Sequence, residues 1–303
     1  ELVNIKKYKK VVILSGGISD EYEISKLSAS AVYKVLKNNY NCKLINVDED
    51  CIKLIKNLKA FNPDVIFNCL HGYFGEDGQI QSIMNLLGFP YTHSGVLASS
   101  MSMDKKKSKA FFKSLKISVP DEIDPRNKKL KKFPIIAKPV NGGSSNGINI
   151  IKNKDELNKF IKKIGLNLHR FIFENFINGR EITVGIVNNK VCGIMEIKFD
   201  SALYDYNNKY VNVAKHIINP KLSKKITDDL KKSSIKAHNS MGCNCVSRVD
   251  FRYDEKKKKI YLLEINTQPG LTNLSLLPEM AKTKISFFEL CEILINNPIC
   301  EKY

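Results

Sequence analysis

The sequence predicts an α/β fold, with a parallel sheet in the first third of the chain and α+β segments after it. Short apolar runs alternate there with helical patterns, and glycines follow the ends of the runs. This alternation is typical of βαβ units, whose strands are parallel and whose ligands bind at the carboxyl ends of the strands. The elements are expected at residues 11–15, 20–37, 43–48, 64–70 and 77–87.

The rest of the chain reads as a small α+β segment followed by a set of strands. Two apolar runs, "PIIAKP" and "GINIIK", frame a glycine-rich loop like the strands of a hairpin. A second hairpin is expected where "DEKKKK" separates "CVSRVDFRY" from "IYLLEIN". The elements are expected at 104–116, 134–139, 147–152, 154–164, 171–175, 181–188, 191–197, 223–241, 244–253 and 260–266.

Length and composition indicate a globular protein of two or three modest domains. The chain has 303 residues, of which 43% are hydrophobic and 26% charged, and it has no apolar run long enough for a membrane span. Its eight cysteines form no CxxC pair, so neither a disulfide framework nor a zinc site is predicted. We therefore expect a soluble protein of the reducing cytoplasm, not associated with a membrane.

The net charge of +18 comes almost entirely from lysine, spread over several clusters. Nucleic-acid readers favour arginine forks and interleaved aromatic residues, whereas dispersed lysines are typical of a solvated surface. The composition therefore predicts no nucleic-acid partner, although it favours attraction of anions such as nucleotide phosphates.

The second predicted hairpin carries oxygen-bearing side chains near one end. Because residues i and i+2 of a strand share a face, Arg248, Asp250, Glu264 and Asn266 are expected on one face of the pair. Carboxylate and amide oxygens suit Mg²⁺, and a neighbouring guanidinium can stabilise phosphoryl charge. The alternative is that the acids are surface groups balancing lysines, but both lie within apolar runs, where an unpaired carboxylate is costly.

Two segments in the middle of the chain are candidate nucleotide contacts. "KPVNGGSSNGI" exposes backbone N–H groups to an anion after Lys138, although such a loop alone is more often a turn and lacks the Walker A ending. In "FIFENFINGREITV", Glu174 is followed by Phe176 and Ile177, and Glu181 begins the next run. This pattern fits an adenine-binding hinge but is weakly specific.

Two further segments lie where strands of the first third are predicted to end. They are "SGGISDEYEIS", with Glu21, and "CLHGYFGEDG", with His71 and Glu76. Their charged groups could hold a small zwitterion. The alternatives are a structural histidine at His71 and an acid that complements the helix dipole at Glu21.

Together these segments resemble the D-alanine–D-alanine ligases of the ATP-grasp superfamily. The resemblance runs in order through "GGISDEYEIS", "HGYFGEDGQIQSIMNLLGFPYTHSGVLAS", "MDK", "KPVNGGSSNGI", "YDYNNKY", "RVDF" and "LEINTQPGLTNLSLLP". It implies an ATP-grasp fold with an N-terminal Rossmann-like domain. The implied domains are a substrate-binding domain at 1–94, a central ATP-grasp subdomain at 95–179 and a C-terminal catalytic domain at 180–303.

The resemblance also implies roles for individual residues. The implied ATP contacts are Lys105, Lys138, Glu174, Phe176, Ile177 and Glu181. The implied ligands of two Mg²⁺ or Mn²⁺ ions are Asp250, Glu264 and Asn266. The implied catalytic groups are Arg248, the N–H of Gly270, and Glu21 with its partners Ser144 and Tyr210. The implied amino-acid contacts are His71, Lys209, Ser275 and Leu276.

The implied reaction joins two D-alanine molecules at the expense of ATP, through an acyl phosphate, for cell-wall precursor synthesis by a homodimer. The family also contains D-alanine–D-lactate ligases, which generally lack the loop tyrosine; Lys209 and Tyr210 favour an amine as second substrate. His93, Tyr73 and Asn146 depart from the usual residues of the family motifs. The rivals are another ATP-grasp ligase and a nucleotide-binding protein without activity.

Overall fold

The computed structural model describes residues 8–143, 147–198, 214–272 and 274–301. Four of the residues singled out above, Ser144, Asn146, Lys209 and Tyr210, lie outside these ranges. Within the described ranges, no helix is both long and apolar enough to cross a membrane.

A parallel sheet forms the N-terminal part of the structure, as predicted. Its strands are β1 (Lys10–Gly16), β2 (Asn41–Val47) and β3 (Val65–Asn68), in the order β2-β1-β3. Its helices are α1 (Tyr22–Leu36), α2 (Cys51–Phe61) and α3 (Gln79–Leu87). Alternate residues of β1 enter two different hydrophobic cores, one on each face of the sheet, which is why this strand is a continuous apolar run.

The chain beyond β3 extends this sheet at one edge. Tyr91 makes a parallel bridge to Ile66, and Ile299, near the end of the described chain, pairs antiparallel with Tyr91. Glu301 then accepts hydrogen bonds from the Asn85 side chain (3.1 Å) and the Val96 N–H (3.2 Å). Residues 299–301 are therefore tied to the edge of the N-terminal sheet.

A second, antiparallel sheet follows helices α4 (Val96–Met103) and α5 (Lys105–Ser114). Asp104 separates the two helices and caps α5 by accepting from the N–H groups of Lys106 and Lys107. The strands are β4 (Ile135–Pro139), β5 (Asn149–Ile151) and β6 (Phe171–Asn175), in the order β5-β4-β6. Helix α6 (Lys154–Ile164) packs its apolar side onto them. The predicted pairing of β4 with β5 is confirmed.

The third sheet is antiparallel and has the order β11-β10-β7-β8-β9. Its strands are β7 (Arg180–Val187), β8 (Lys190–Lys198), β9 (Lys215–Ile218), β10 (Val246–Asp254) and β11 (Lys259–Asn266). The helices of this part are α7 (Lys224–Met241), α8 (Leu276–Ala281) and α9 (Phe287–Asn296). The predicted hairpin of β10 with β11 is confirmed. Helices α2, α4, α8 and α9 and strand β9 were not predicted.

Candidate active site

Two adjoining cavities of about 970 and 1060 Å³ lie where the three sheets meet. The first cavity lies between β4, β6 and the β10–β11 hairpin, and the second lies between that hairpin and the loops that follow β1 and β3. The residues common to both walls are Lys105, Gly142, Gly143, Arg248, Glu264 and Leu276. A molecule in one cavity can therefore reach a molecule in the other.

The first cavity brings together all the predicted nucleotide contacts. Its walls include Lys105, Lys138, Glu174, Phe176, Ile177 and Glu181. Apolar side chains from β4, β8 and β11 complete the lining, as in many ligand pockets. The geometry suits a ligand with a flat apolar part and an anionic part.

A buried charge network crosses the floor of the first cavity. The Glu174 carboxylate is 1% exposed and accepts from both the Lys109 and the Lys138 ammonium groups, the latter at 2.9 Å. Burial lowers the pKa of Lys138 to about 8, although the charge of Glu264 opposes this shift. Lys109 was not predicted; it lies one helical turn after Lys105 on α5.

A second ion pair lies on the same cavity wall. The Glu181 carboxylate contacts the Arg252 guanidinium at 3.0 Å, and Arg252 also donates to the Gly179 carbonyl at 3.0 Å. Arg252 was not predicted, although strand alternation places it on the face of β10 that carries Arg248 and Asp250.

The β10–β11 hairpin carries the predicted metal ligands in the expected arrangement. Arg248 pairs with Asn266 and Asp250 pairs with Glu264 across the ladder, so the four side chains share one face. The Arg248 guanidinium donates to both oxygens of Asp250, with Nη2 to Oδ2 at 2.8 Å. Thr183, on the neighbouring strand β7, donates to Asp250 Oδ1 at 2.6 Å. The position of Asp250 is thus fixed from two sides.

The donor set of this face fits a hard divalent cation. A carboxylate offers about four lone-pair positions, so Asp250 can still accept a metal while it accepts from Arg248 and Thr183. Asn266 Oδ1 accepts one bond from the Gln268 N–H at 2.9 Å and keeps a second lone pair. Among the described residues, no group of three or more His, Cys, Asp or Glu side chains forms a metal site. The candidate set contains two carboxylates and one amide.

Lys105 stands at the junction of the two cavities. Its ammonium donates to the Gly142 carbonyl at 2.6 Å and lies 3.6 Å from Glu264 Oε2. One cation thereby links the glycine-rich loop to the β10–β11 face.

Glu21 lies in the second cavity, at the N-cap of α1, where its side chain makes no capping bond. Its carboxylate packs against two glycine backbones. A Cβ added at Gly72 would lie 2.9 Å from Glu21 Oε2, and one at Gly143 would lie 3.0 Å from it. Gly72 also has φ +67°, which favours glycine. The loop after β3 and the glycine-rich loop therefore converge on Glu21.

His71 is buried beside Glu21 in the same cavity. Its Nδ1 lies 2.9 Å from Glu76 Oε1, and its Nε2 lies 3.2 Å from the Ser28 hydroxyl. Burial alone would lower the pKa of His71, but the hydrogen bond and charge of Glu76, with the charge of Glu21, raise it above its ordinary value. Burial also raises the pKa of Glu76, more than its bond to His71 lowers it.

The loop after β11 supplies the opposite wall. Gly270, Ser275 and Leu276 all line the second cavity. A Cβ at Gly270 would lie 2.8 Å from Ser275 Oγ, so a larger residue there would displace this hydroxyl. Ser275 Oγ accepts from the Thr272 N–H at 2.9 Å, which holds the loop at the start of α8.

Buried amides join this loop to the N-terminal sheet. The Gln268 side chain donates to the Leu70 carbonyl and accepts from Asn68 Nδ2 at 3.0 Å, and Asn68 also donates to Gly75 O at 3.1 Å. The position of Leu70, next to His71, is thereby set by a residue of the C-terminal loop. Neither Gln268 nor Ser28 was predicted.

Comparisons with known proteins point to one family. The family model described as D-ala D-ala ligase C-terminus matches residues 97–296. The D-alanine–D-alanine ligase of Pelagibacter ubique is 44% identical over 95% of this chain and 98% of its own, and that of Wolbachia pipientis wMel is 38% identical over 96% and 95%.

Solved structures point to the same family. This chain is similar to the D-alanine–D-alanine ligase from Bacillus anthracis complexed with ATP, with TM-score 0.81 and 28% identity over 95% of this chain and 97% of that one. The chain is also similar to the VanG D-Ala:D-Ser ligase from Enterococcus faecalis, with TM-score 0.77 and 28% identity over 95% of this chain and 99% of that one. The expected α/β fold of the ATP-grasp type is confirmed. The chain belongs to the D-alanine–D-alanine ligase family.

Proposed function

We propose that this protein uses ATP to join two D-alanine molecules into D-alanyl-D-alanine, releasing ADP and phosphate, for peptidoglycan precursor synthesis. The observation that carries the proposal is the pair of adjoining cavities that share Arg248 and Glu264, found in a member of this family. A reaction that transfers a phosphoryl group to an amino acid needs this contact between a nucleotide site and an amino-acid site.

ATP would occupy the first cavity. Its adenine would lie near Phe176 and Ile177, its ribose would meet Glu181, and its phosphates would extend toward Lys138 and Lys105. In the structure Lys138 pairs with Glu174 and Lys105 lies near Glu264. Phosphate oxygens would be further hydrogen-bond acceptors for both ammonium groups.

Asp250, Glu264 and Asn266 would hold two Mg²⁺ or Mn²⁺ ions. Bound ions of this kind neutralise phosphate oxygens during transfer. The oxygen-only donor set and the shared strand face support this assignment.

The two D-alanine molecules would occupy the second cavity. Glu21 would accept the ammonium group of the first, with Ser144 and Tyr210 completing its hydrogen bonds. The first carboxylate would attack the γ-phosphate to give D-alanyl phosphate, because a free carboxylate is a poor electrophile. The second D-alanine, with its carboxylate near Ser275 and Leu276 and with His71 and Lys209 in the pocket, would then attack the acyl carbon.

Arg248 and the N–H of Gly270 would stabilise the tetrahedral intermediate. The Arg248 guanidinium is fixed by Asp250 through three N–H···O contacts. A donor that is already oriented needs no reorganisation when negative charge develops, and this preorganisation is the main source of such stabilisation.

The test is ADP release by the purified protein with ATP and Mg²⁺, with and without D-alanine, followed by mass analysis of the product. We expect D-alanine-dependent ADP release, a dipeptide product, and loss of both when EDTA removes the divalent ions. ATP binding without turnover on D-alanine or on any amino-acid or hydroxy-acid acceptor would contradict the proposal and favour a nucleotide-binding protein without activity.

A second candidate differs only in the second substrate. The similarity to a D-Ala:D-Ser ligase makes D-serine the competing acceptor. Parallel assays with D-alanine, D-serine and D-lactate as second substrate separate the alternatives. We expect the highest kcat/KM for D-alanine.

We further propose a cytoplasmic homodimer. ATP as a substrate supports the location, and the family resemblance supports the assembly. Light scattering of the purified protein at several concentrations tests the dimer, and a monomer mass throughout would exclude it.

A further inference from the structure

Ser28 joins three segments of the chain at one buried hydroxyl. It lies on α1 and has no exposed surface. Its Oγ lies 3.2 Å from His71 Nε2, in the loop after β3, and accepts from the Leu271 N–H at 3.3 Å, in the loop after β11. The partners are 43 and 243 residues away in sequence.

The second of these contacts fixes the peptide bond that follows Gly270. Glycine has little conformational preference of its own, so the orientation of this peptide needs an external partner. Thr272 and Ser275 hold the next part of the loop from within. Ser28, in the N-terminal part of the structure, holds this loop by accepting a hydrogen bond at Leu271.

The first contact fixes the histidine. When His71 donates from Nδ1 to Glu76, its Nε2 accepts from the Ser28 hydroxyl, whose oxygen remains able to accept from the Leu271 N–H. The hydroxyl hydrogen of Ser28 is then donated to His71, and its oxygen accepts from Leu271. The three groups form one continuous chain from Glu76 to the loop that carries Gly270.

We infer that Ser28 is a positioning residue for the amine-transfer step. Its hydroxyl sets the distance between His71 and the Gly270–Leu271 peptide, and so sets where the amine of the second amino acid meets the acyl carbon. The inference rests on the proposed function, because it concerns the second cavity of the same site.

Ser25 provides a matched control. It lies on α1 three residues before Ser28, it also has no exposed surface, and its hydroxyl has no hydrogen-bond partner among the described residues. Ser25→Ala and Ser28→Ala remove the same atom from the same buried helix. Only the second removes the link between the loops.

The experiment measures ligase kinetics, ATP affinity and amide hydrogen exchange in wild type, Ser25→Ala and Ser28→Ala. For Ser28→Ala we expect kcat for dipeptide synthesis to fall about tenfold and the Leu271 amide to exchange about tenfold faster. We expect the Kd for ATP to stay within about twofold of wild type, because Ser28 does not line the first cavity. Ser25→Ala should match wild type in all three.

Ser28→Cys keeps a small side chain with a weak donor and a weak acceptor, and it should recover part of the lost rate. It also replaces Ser28→Ala if the alanine variant does not fold. Equal behaviour of the Ser25 and Ser28 variants, or a parallel loss of ATP affinity and rate in Ser28→Ala, would overturn the inference. If wild type makes no dipeptide, the proposed function fails, while the exchange rate of Leu271 still decides whether Ser28 holds the loop.

Discussion

The two cavities are stabilised by different kinds of contact. In the first, carboxylates and cations pair in or beside the wall: Glu174 with Lys109 and Lys138, and Glu181 with Arg252. In the second, the loops are tied together largely by hydroxyl and amide groups, through Ser28 and Gln268. The first arrangement provides charge for a polyanion, and the second fixes distances between loops.

This difference follows from what each proposed ligand requires. Phosphate oxygens are recognised mainly by charge, so cations on long side chains suit them even when their positions adjust. An acyl transfer requires reacting atoms at a defined separation, and short neutral side chains on rigid elements hold such a separation more closely. Each prediction below tests one side of this comparison.

The largest expected effect concerns the buried charges of the first cavity. Lys109→Met leaves the Glu174 carboxylate with one cation in a site that is 1% exposed, and we expect a loss of about 3–5 kcal/mol in the free energy of unfolding. Chemical denaturation measures it. Lys113→Met, at an exposed position one turn later on α5, is the control and should change stability little.

Glu174→Gln removes the carboxylate that both lysines share, and it should cost at least as much stability because it leaves two buried cations without that partner. If Lys109→Met were no more destabilising than Lys113→Met, the first cavity would not depend on paired charge.

The next effect concerns the group shared by both cavities. We expect Arg248→Ala to lower the rate of dipeptide synthesis by about 10²–10³-fold while ATP affinity changes little, because the guanidinium would act on charge that develops during the reaction. Steady-state kinetics and direct ATP binding measure the two quantities. Arg180→Ala is the control: Arg180 makes an equivalent pair with Glu196 but does not line either cavity. A loss of ATP affinity as large as the loss of rate would refute this role.

A neutral hydrogen-bond network outside both cavities tests the second kind of contact in isolation. His238 is buried, with Nδ1 2.7 Å from the Ser247 hydroxyl and Nε2 2.8 Å from Asn189 Oδ1, and burial lowers its pKa to about 4. The unfolded chain therefore binds more protons between about pH 6.5 and 4, so stability falls as pH falls through this window, by about 3 kcal/mol for this group.

Denaturation curves at several pH values measure this loss. His238→Gln should flatten the dependence, whereas His169→Gln, at an exposed position, should leave it unchanged. His93, whose pKa burial lowers to about 3, contributes in the same direction and remains in both variants.

The smallest effect is the pH dependence of ATP affinity. Burial lowers the pKa of Lys138 to about 8, so above that pH the lysine must take up a proton to bind a phosphate. The affinity should fall by at most about tenfold per pH unit there. Lys138→Arg should remove the dependence, since a guanidinium stays charged. Titration at fixed Mg²⁺ measures it, and a dependence that survives in Lys138→Arg would assign it to another group.

The parts predicted correctly from the sequence are those in which a local pattern determines the structure. The parallel sheet was predicted from short apolar runs that alternate with helical patterns and are followed by glycines. The shared face of Asp250 and Glu264 was predicted from the period of two in a strand. Arg252 follows from the same alternation and could have been predicted. Helix α2 was also detectable, because Asp50 caps it and Asn62 ends it in the left-handed region.

Other contacts have no local pattern. Lys109 lies 65 residues from Glu174, Gln268 lies 198 residues from Leu70, and Ser28 lies 243 residues from Leu271. Each is a common polar residue within a helix or loop, and only the packing of the sheets brings it to its partner. Strand β9 has four residues, which is too short for a pattern to be distinguished.

The pairing of Ile299 with Tyr91 has a consequence for synthesis of the protein in the cell. The segment at Tyr91 stays open at one edge until more than 200 further residues have left the ribosome, because its antiparallel partner Ile299 is that far away in sequence. An unpaired strand edge can pair with other chains. Nascent chains are therefore exposed to aggregation until residue 299 emerges, and versions shortened before Ile299 should depend more on chaperones than versions that include it.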